Sequence, residues 1–172
     1  MALAMCFALA VSTSAATAGD VAGTHTVRFL KNGQSSTSMS DKAVGDRTAT
    51  VSVADGVATV TISLQPIRDC IGADGWVEGV SVNGMAQAMS GSGGEVANIK
   101  NFSGIGTYRS NFYFYDTATL VITMDTLSVV DGKIVISNVK PTTELVLVNT
   151  KKHNILPTSM TNAAFDIELT RS

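Results

Sequence analysis

The sequence predicts an all-β protein, an antiparallel β-sandwich or barrel with one short helical turn near residues 38–44. Two observations support this prediction. Apolar and polar residues alternate in roughly seven to nine short segments, which is the period expected of half-buried strands. Turn sequences such as Asp-Gly and Asn-Gly separate several of these segments, whereas helical periodicity is weak outside residues 38–44. A region of about 150 residues with this pattern typically folds as one sandwich or barrel.

The predicted strands follow one another from residue 25 to residue 169. Residues 25–30 alternate and stop at the turn sequence Lys31-Asn32-Gly33. Residues 49–53 and 57–64 flank Asp55-Gly56, a dipeptide typical of a tight β-hairpin. The remaining predicted strands are residues 76–82, 111–115, 118–124, 127–130, 133–136, 144–148 and 163–169. Residues 85–110 are rich in Gly and Ser, and we expect them to form a long loop between strands.

The first eighteen residues have the layout of a secretory signal peptide. An apolar run over residues 1–11 is followed by small residues that end in Ala16-Thr17-Ala18, an A-x-A cleavage pattern. No Lys or Arg precedes the run, which suggests that the true start lies upstream of Met1. A buried apolar helix is the alternative, because the run is too short to span a bilayer. We expect residues 19–172 to form a single secreted domain without a membrane span.

Composition and charge exclude several classes of protein. The formal net charge of −2 provides no basic surface for nucleic acid and no polybasic face for anionic lipid. Without residues 1–18, Cys70 is the single cysteine, so an intramolecular disulfide is excluded. The sequence contains no G-x-S-x-G, H-E-x-x-H or P-loop motif, and its two histidines, His25 and His153, have no cysteine at metal-ligand spacing. We therefore expect a binding protein rather than an enzyme.

The order of segments between Thr24 and Val82 is specific enough to compare with a known family. An opening strand and turn, residues 26–33, precede the Ser-Met segment, residues 35–41. Residues 49–62 then follow the pattern A-x-V-x-V-x-D-G-x-A-x-V-x-L, with Ile62 at its last position. This order and spacing resemble the NEAT (near-iron transporter) domain of Gram-positive surface proteins, many of which bind haem. Residues 144–148 and 162–167 look like the last two strands of that family.

The resemblance implies an immunoglobulin-like β-sandwich with a ligand groove. In the family, a short helical lip at the Ser-Met segment faces the hairpin formed by the last two strands. Carried over to this sequence, the groove candidates are Ser38, Met39, Val148, His153 and Met160. The implied role is haem or iron capture. For Ser38 and Met39, an alternative without a ligand is a helix N-cap followed by a core residue.

The chain departs from the family at the residues that hold haem iron. Haem-binding members carry a Y-x-x-x-Y motif in the last hairpin, and its first Tyr ligates ferric iron. The corresponding residues here, 148–161, contain no Tyr, and Tyr108, Tyr113 and Tyr115 lie in the middle third of the chain. His153 and Met160 carry the imidazole and thioether groups that also ligate haem iron. Alternatively, His153 is a solvated loop residue and Met160 fills a gap in the core.

Two functions follow from the resemblance and from the missing Tyr pair. The leading prediction is a secreted or cell-surface module that captures haem, with His153 or Met160 as the axial ligand. The alternative is a sandwich of the same type that binds a protein or glycan of the host or cell surface without haem. In both cases we expect a monomer. We expect Trp76 to pack between the sheets, whereas the pattern leaves open whether Tyr113 and Tyr115 are exposed or buried.

Overall fold

The computed structural model describes residues 21–70, 73–92, 95–100, 107–141, 147–149, 151, 154–155 and 164–172. Strands dominate these residues. Apart from the single helical residue Val21, the helical residues among them form a short 3-10 helix at Met39–Ala43, which we call the lip. The predicted all-β fold and its short helical turn are both confirmed. The described strands, in chain order, are β1 (Gly23–Lys31), β2 (Val44–Ala54), β3 (Val57–Leu64), β4 (Ile67–Cys70), β5 (Ala73–Gly75), β6 (Val80–Val82), β7 (Met85–Ala86), β8 (Ala88–Ser92), β9 (Glu95–Lys100), β10 (Thr107–Phe114), β11 (Thr117–Met124), β12 (Ser128–Val130), β13 (Lys133–Pro141), β14 (Leu147–Asn149), β15 (Asn154–Ile155) and β16 (Phe165–Arg171).

The strands form two sheets. The larger sheet has the order β7-β6-β13-β16-β1-β2-β3-β11-β8, with β12 added beside β13. The smaller sheet has the order β10-β9-β15-β14-β5-β4. Among the described strands the pairing is antiparallel, except for one parallel contact between Asn154 of β15 and Lys100 of β9. The terminal strands of the larger sheet, β7 and β8, are consecutive in the chain, so this sheet nearly closes on itself.

The core lies on the inner faces of the strands, where the predicted alternation places the apolar residues. Along β3 and β11, every second residue is buried, including Val60, Ile62, Leu120 and Ile122. Phe29 of β1 and Phe165 of β16 are fully buried, and their rings stack with centroids 4.8 Å apart. Full burial of a side chain of this size contributes about 1.5–3 kcal/mol to stability.

Three hairpins turn at the Asp-Gly and Asn-Gly dipeptides. Asp55, Asn83 and Asp131 all have a positive φ of about 50°, and the glycine that follows each also has a positive φ. This is the backbone of a type I′ turn, which matches the twist of the flanking strands. The local sequence therefore predicted these turns correctly.

The Gly- and Ser-rich region and the strand predicted at residues 76–82 differ from expectation. Residues 85–110 were expected to form a loop, but they contain β7, β8, β9 and the start of β10. Ser and Gly have weak strand propensity, yet pairing with β11 holds Ser90 opposite Thr119 and Gly91 opposite Ala118. Residues 76–79 leave the strand conformation and separate β5 from β6.

A buried carboxylate ties three segments of the larger sheet together. Asp166 of β16 accepts hydrogen bonds from the backbone N–H of Gly33 at 2.7 Å and of Asn138 at 2.9 Å. Gly33 lies in the turn after β1, and Asn138 lies at an irregularity in the pairing of β13 with β16. One side chain thus satisfies two donors that the strand ladders do not pair.

Candidate functional site

The lip begins at Ser38, which acts as its N-cap. The Ser38 hydroxyl accepts a hydrogen bond from the Ser40 N–H at 3.3 Å, and its carbonyl accepts one from the Asp41 N–H at 3.1 Å. The Ser38 N–H in turn donates to the Phe29 carbonyl at 2.9 Å. Met39 follows, half-buried and packed against the core. Ser38 therefore caps the helix and Met39 packs against the core, as the alternative without a ligand predicted. Part of each side chain remains accessible.

Asp41 anchors the lip to the larger sheet. Its carboxylate is buried and accepts a hydrogen bond from the Phe29 N–H at 2.7 Å. Its second oxygen lies 2.6 Å from the Arg47 guanidinium of β2. Arg47 itself has a φ of 61°, in the left-handed region where non-glycine residues are uncommon. Two strands and one short helix are thus joined at one carboxylate, a relationship that the spacing in the sequence did not indicate.

The lip also contacts the smaller sheet at β4. In that sheet β4 pairs with β5 and β5 pairs with β14, where Val148 lies opposite Asp74. Because neighbouring strands lie about 4.8 Å apart, β14 runs roughly 10 Å from β4. The lip therefore contacts a strand that lies two positions from β14 in the smaller sheet. Val148 is fully buried and contributes its side chain to the core.

The hairpin predicted from the strands at residues 144–148 and 162–167 does not form among the described residues. There, β14 pairs with β5 and β15 in the smaller sheet, whereas β16 pairs with β1 and β13 in the larger sheet. Val148 lies opposite Ile155 and Asn149 opposite Asn154, so β14 and β15 form an antiparallel pair with Lys151 exposed in the connection. His153 and Met160 lie outside the described residues, and haem ligation by either one stays a prediction.

The β4–β5 hairpin, which the lip contacts through β4, carries a cation that the sequence reasoning missed. The Arg68 guanidinium lies 2.5 Å from the Asp74 carboxylate across the hairpin and 5.9 Å from the centroid of the buried Trp76 ring. More than half of the Arg68 side chain remains exposed, whereas Asp74 is mostly covered. Arg68 thus presents a positive charge beside the lip, held by a carboxylate and an aromatic face.

Trp76 and Tyr115 are structural residues. Trp76 packs inside the protein, as predicted, with its ring centroid 4.7 Å from that of Phe114. The Tyr115 hydroxyl donates to the Val77 carbonyl at 2.8 Å and accepts from the Val77 N–H at 3.1 Å. Burial raises the pKa of Tyr115, and the nearby Glu78 charge acts in the same direction. Tyr115 is therefore a buried neutral phenol, while the side chains of Tyr108 and Tyr113 lie outside the described residues.

A concave region lies where the larger sheet nearly closes. It is a cavity of about 600 Å³ between the segment around β7 and the end of β11. Its lining includes Asn83, Met85, Gln87, Met124 and Asp125. Sequence reasoning missed this region because residues 85–110 were expected to be a loop.

The described residues contain no group of three or more His, Cys, Asp or Glu side chains arranged to hold a metal ion. In the same part of the chain, no helix has the length and apolar character needed to cross a membrane.

No protein-family model matches the chain, and no curated protein matches it. The function must therefore be argued from the residues and from the geometry of the two candidate regions.

Proposed function

We propose that the protein is a secreted or cell-surface module that binds haem in a groove between the lip and the β14–β15 hairpin. The observation that carries the proposal is the contact of the lip with β4, a strand of the same sheet as β14, in the order β4-β5-β14. The hydrogen bonds of Ser38 and the carboxylate of Asp41 hold the lip in place. A lip held in this way can form one wall of a groove without first being ordered by the ligand.

The side chains along this path suit a flat apolar ligand that carries carboxylates. Met39 is half-buried and unbranched, so its thioether can adapt to a ring that lies against it. Arg68 on β4, Lys42 in the lip and Lys151 in the hairpin connection are exposed cations in a chain whose net charge is −2. Haem has an apolar macrocycle and two propionates, and these cations could pair with the propionates.

The missing Tyr pair requires a different iron ligand from the one the family uses. Residues 148–161 contain His153 and Met160, and imidazole and thioether are both axial ligands of haem iron. The buried Tyr115 is unsuitable as a phenolate ligand, because its hydroxyl is already bonded to Val77 and its pKa is raised. We propose His153 or Met160 for this role.

The test is a hemin titration of residues 19–172, followed in the Soret band. We expect saturation at one equivalent, and Met39→Ala should weaken binding about fivefold to tenfold because one partly buried apolar contact is lost. His153→Ala or Met160→Ala should change the position of the Soret band. Met89→Ala is the matched control, since Met89 is also half-buried against the core but lies on β8. A flat titration would contradict the proposal.

The alternative, a protein or glycan partner without haem, is favoured by a wide uncharged face of the larger sheet. The outward residues of β3, of β11 and of β2 from Thr48 onward include no charged side chain, and most of them carry a hydroxyl group. Thr50 lies opposite Thr61, and Ser63 lies opposite Thr119. Such a surface can donate and accept many hydrogen bonds. If hemin does not bind, this alternative is tested by screening glycans and matrix proteins for binding to the wild-type protein and to the Thr61→Glu variant.

A further inference from the structure

The larger sheet is closed by a segment that changes partners in the middle. Residues 85–92 begin as β7, which pairs with β6, and continue as β8, which pairs with β11. Gln87 lies at the switch between them. Beyond the pair formed by Val121 and Ala88, β11 continues through Thr123 without a described strand on that side. A gap therefore opens between β7 and the last residues of β11, which we call the seam.

The side-chain amide of Gln87 bridges this gap. Its Oε1 accepts a hydrogen bond from the Thr123 N–H at 3.0 Å, and its Nε2 donates to the Met85 carbonyl at 2.9 Å. Its own backbone N–H donates to the Val80 carbonyl at 2.9 Å. The side chain thus offers one acceptor and one donor to two strand edges, as the peptide group of an intervening strand would do.

The seam is also an accessible groove. The cavity of about 600 Å³ found there falls within the size range of ligand sites. Met85 is 64% exposed, which makes it the one large apolar side chain among the described residues that faces solvent. Met124, also in the lining, is half-buried against the core. Flexible thioethers of this kind suit a surface that adapts to an apolar side chain.

The charge of the groove limits its partner. Asp125 is the charged residue in the lining, and the other polar groups there are the neutral side chains of Asn83, Gln87, Thr123 and Thr126. A carboxylate without a cation in the same lining favours a partner that brings a Lys or Arg. An acidic partner would be repelled.

We propose that the seam binds an extended, Lys- or Arg-bearing peptide segment of another protein by strand addition. The segment lies along the free edge of β11. One of its carbonyl groups accepts the hydrogen bond of the Thr123 N–H and displaces the Gln87 amide. An apolar side chain contacts Met85 and Met124, and a cation pairs with Asp125. Adding a strand to an exposed edge is an established way of recognising peptides, because backbone hydrogen bonds provide affinity and side-chain pockets provide selectivity. The proposal does not depend on haem, since the seam is formed by other strands than the lip and β14.

The test uses two synthetic probes, acetyl-Lys-Val-Lys-Val-Lys-amide and its counterpart with Glu in place of Lys. Each is titrated into isotope-labelled protein and followed by amide NMR. The cationic peptide should shift the amide signals of Thr123 and Met85 and the side-chain amide of Gln87. The acidic peptide should leave them unchanged.

Two substitutions localise the contact. Asp125→Asn should weaken binding of the cationic peptide about twofold to fivefold, the effect of one exposed ion pair. Asp116→Asn is the matched control, because Asp116 is an exposed carboxylate at the opposite end of β11, and it should have no effect. Gln87→Ala should strengthen binding, since the peptide no longer competes with the side chain for Thr123. Equal binding of both peptides, or shifts confined to other residues, would overturn the proposal.

Discussion

The Trp76 indole donates a hydrogen bond at 2.9 Å to the backbone carbonyl of Tyr115, thirty-nine residues later in the chain. The Tyr115 hydroxyl reaches back to bond both the N–H and the carbonyl of Val77. The segment after β5 has left the strand conformation at this point, so Val77 lies outside the strands. These bonds join the end of β10 to that segment and satisfy polar groups that would otherwise be buried without partners.

Removing the Tyr115 hydroxyl should therefore destabilise the protein. We expect Tyr115→Phe to lower the free energy of unfolding by about 1–3 kcal/mol, because the N–H and carbonyl of Val77 lose their partner in a buried site. Urea denaturation at neutral pH measures this change. Ser63→Ala removes an exposed hydroxyl on β3 and serves as the control, with an expected change within about 0.5 kcal/mol. Equal stability of wild type and Tyr115→Phe would contradict the structural role.

The raised pKa of Tyr115 predicts a loss of stability at alkaline pH. In the folded protein, burial keeps the phenol neutral above its ordinary pKa of 10.0, whereas the unfolded chain ionises there. The stabilisation is thus fully present below about pH 10 and declines as the pH rises above that value. The free energies of unfolding of wild type and Tyr115→Phe, measured between neutral and strongly alkaline pH, should converge as the pH increases. A constant difference would contradict the assignment.

Removing the Asp41 carboxylate should destabilise the lip more than the rest of the fold. Asp41→Ala leaves the Phe29 N–H without its acceptor and removes the partner of Arg47. We expect the free energy of unfolding to fall by about 1–3 kcal/mol. The backbone amides of residues 40 and 41 in the lip should also exchange their hydrogens faster. If the lip forms a wall of the haem groove, hemin affinity should fall as well. Asp116→Ala, at an exposed carboxylate, is the control and should change neither quantity.

Even an isosteric substitution of Asp166 should lower the stability of the protein. Its two oxygens accept from Gly33 and Asn138, so Asp166→Asn replaces one acceptor with an amide NH₂ that faces a donor. We expect a loss of about 1–3 kcal/mol in thermal or urea unfolding, comparable to leaving one buried donor unsatisfied. Asp46→Asn is a useful comparison, because the exposed Asp46 accepts a hydrogen bond from the Thr48 N–H and an amide oxygen can replace that acceptor. A smaller loss for Asp166→Asn than for Asp46→Asn would contradict this role.

Features that depend on neighbouring residues were predictable from the sequence. The alternation along residues 57–64 and 118–124 identified β3 and β11, because every second side chain of a strand faces the same side. Asp55-Gly56 identified its hairpin, because few other residues adopt a positive φ at both turn positions. Ser38 lies where a short helical turn was expected and caps it with its own hydroxyl.

Features that depend on residues far apart in the chain were decided by the tertiary structure. Ser90 and Gly91 become a strand because β11 offers them a paired edge, which outweighs their weak propensity. Gln87 joins Met85 to Thr123, Asp41 joins the lip to Phe29, and Tyr115 is buried against Val77. These contacts form only when the sheets have formed around a common core. The periodicity within one segment does not indicate which distant group its side chain will bond. The sequence by itself thus determined the strands and their turns, whereas the packing of the strands determined the lip's anchor, the neutral Tyr115 and the seam.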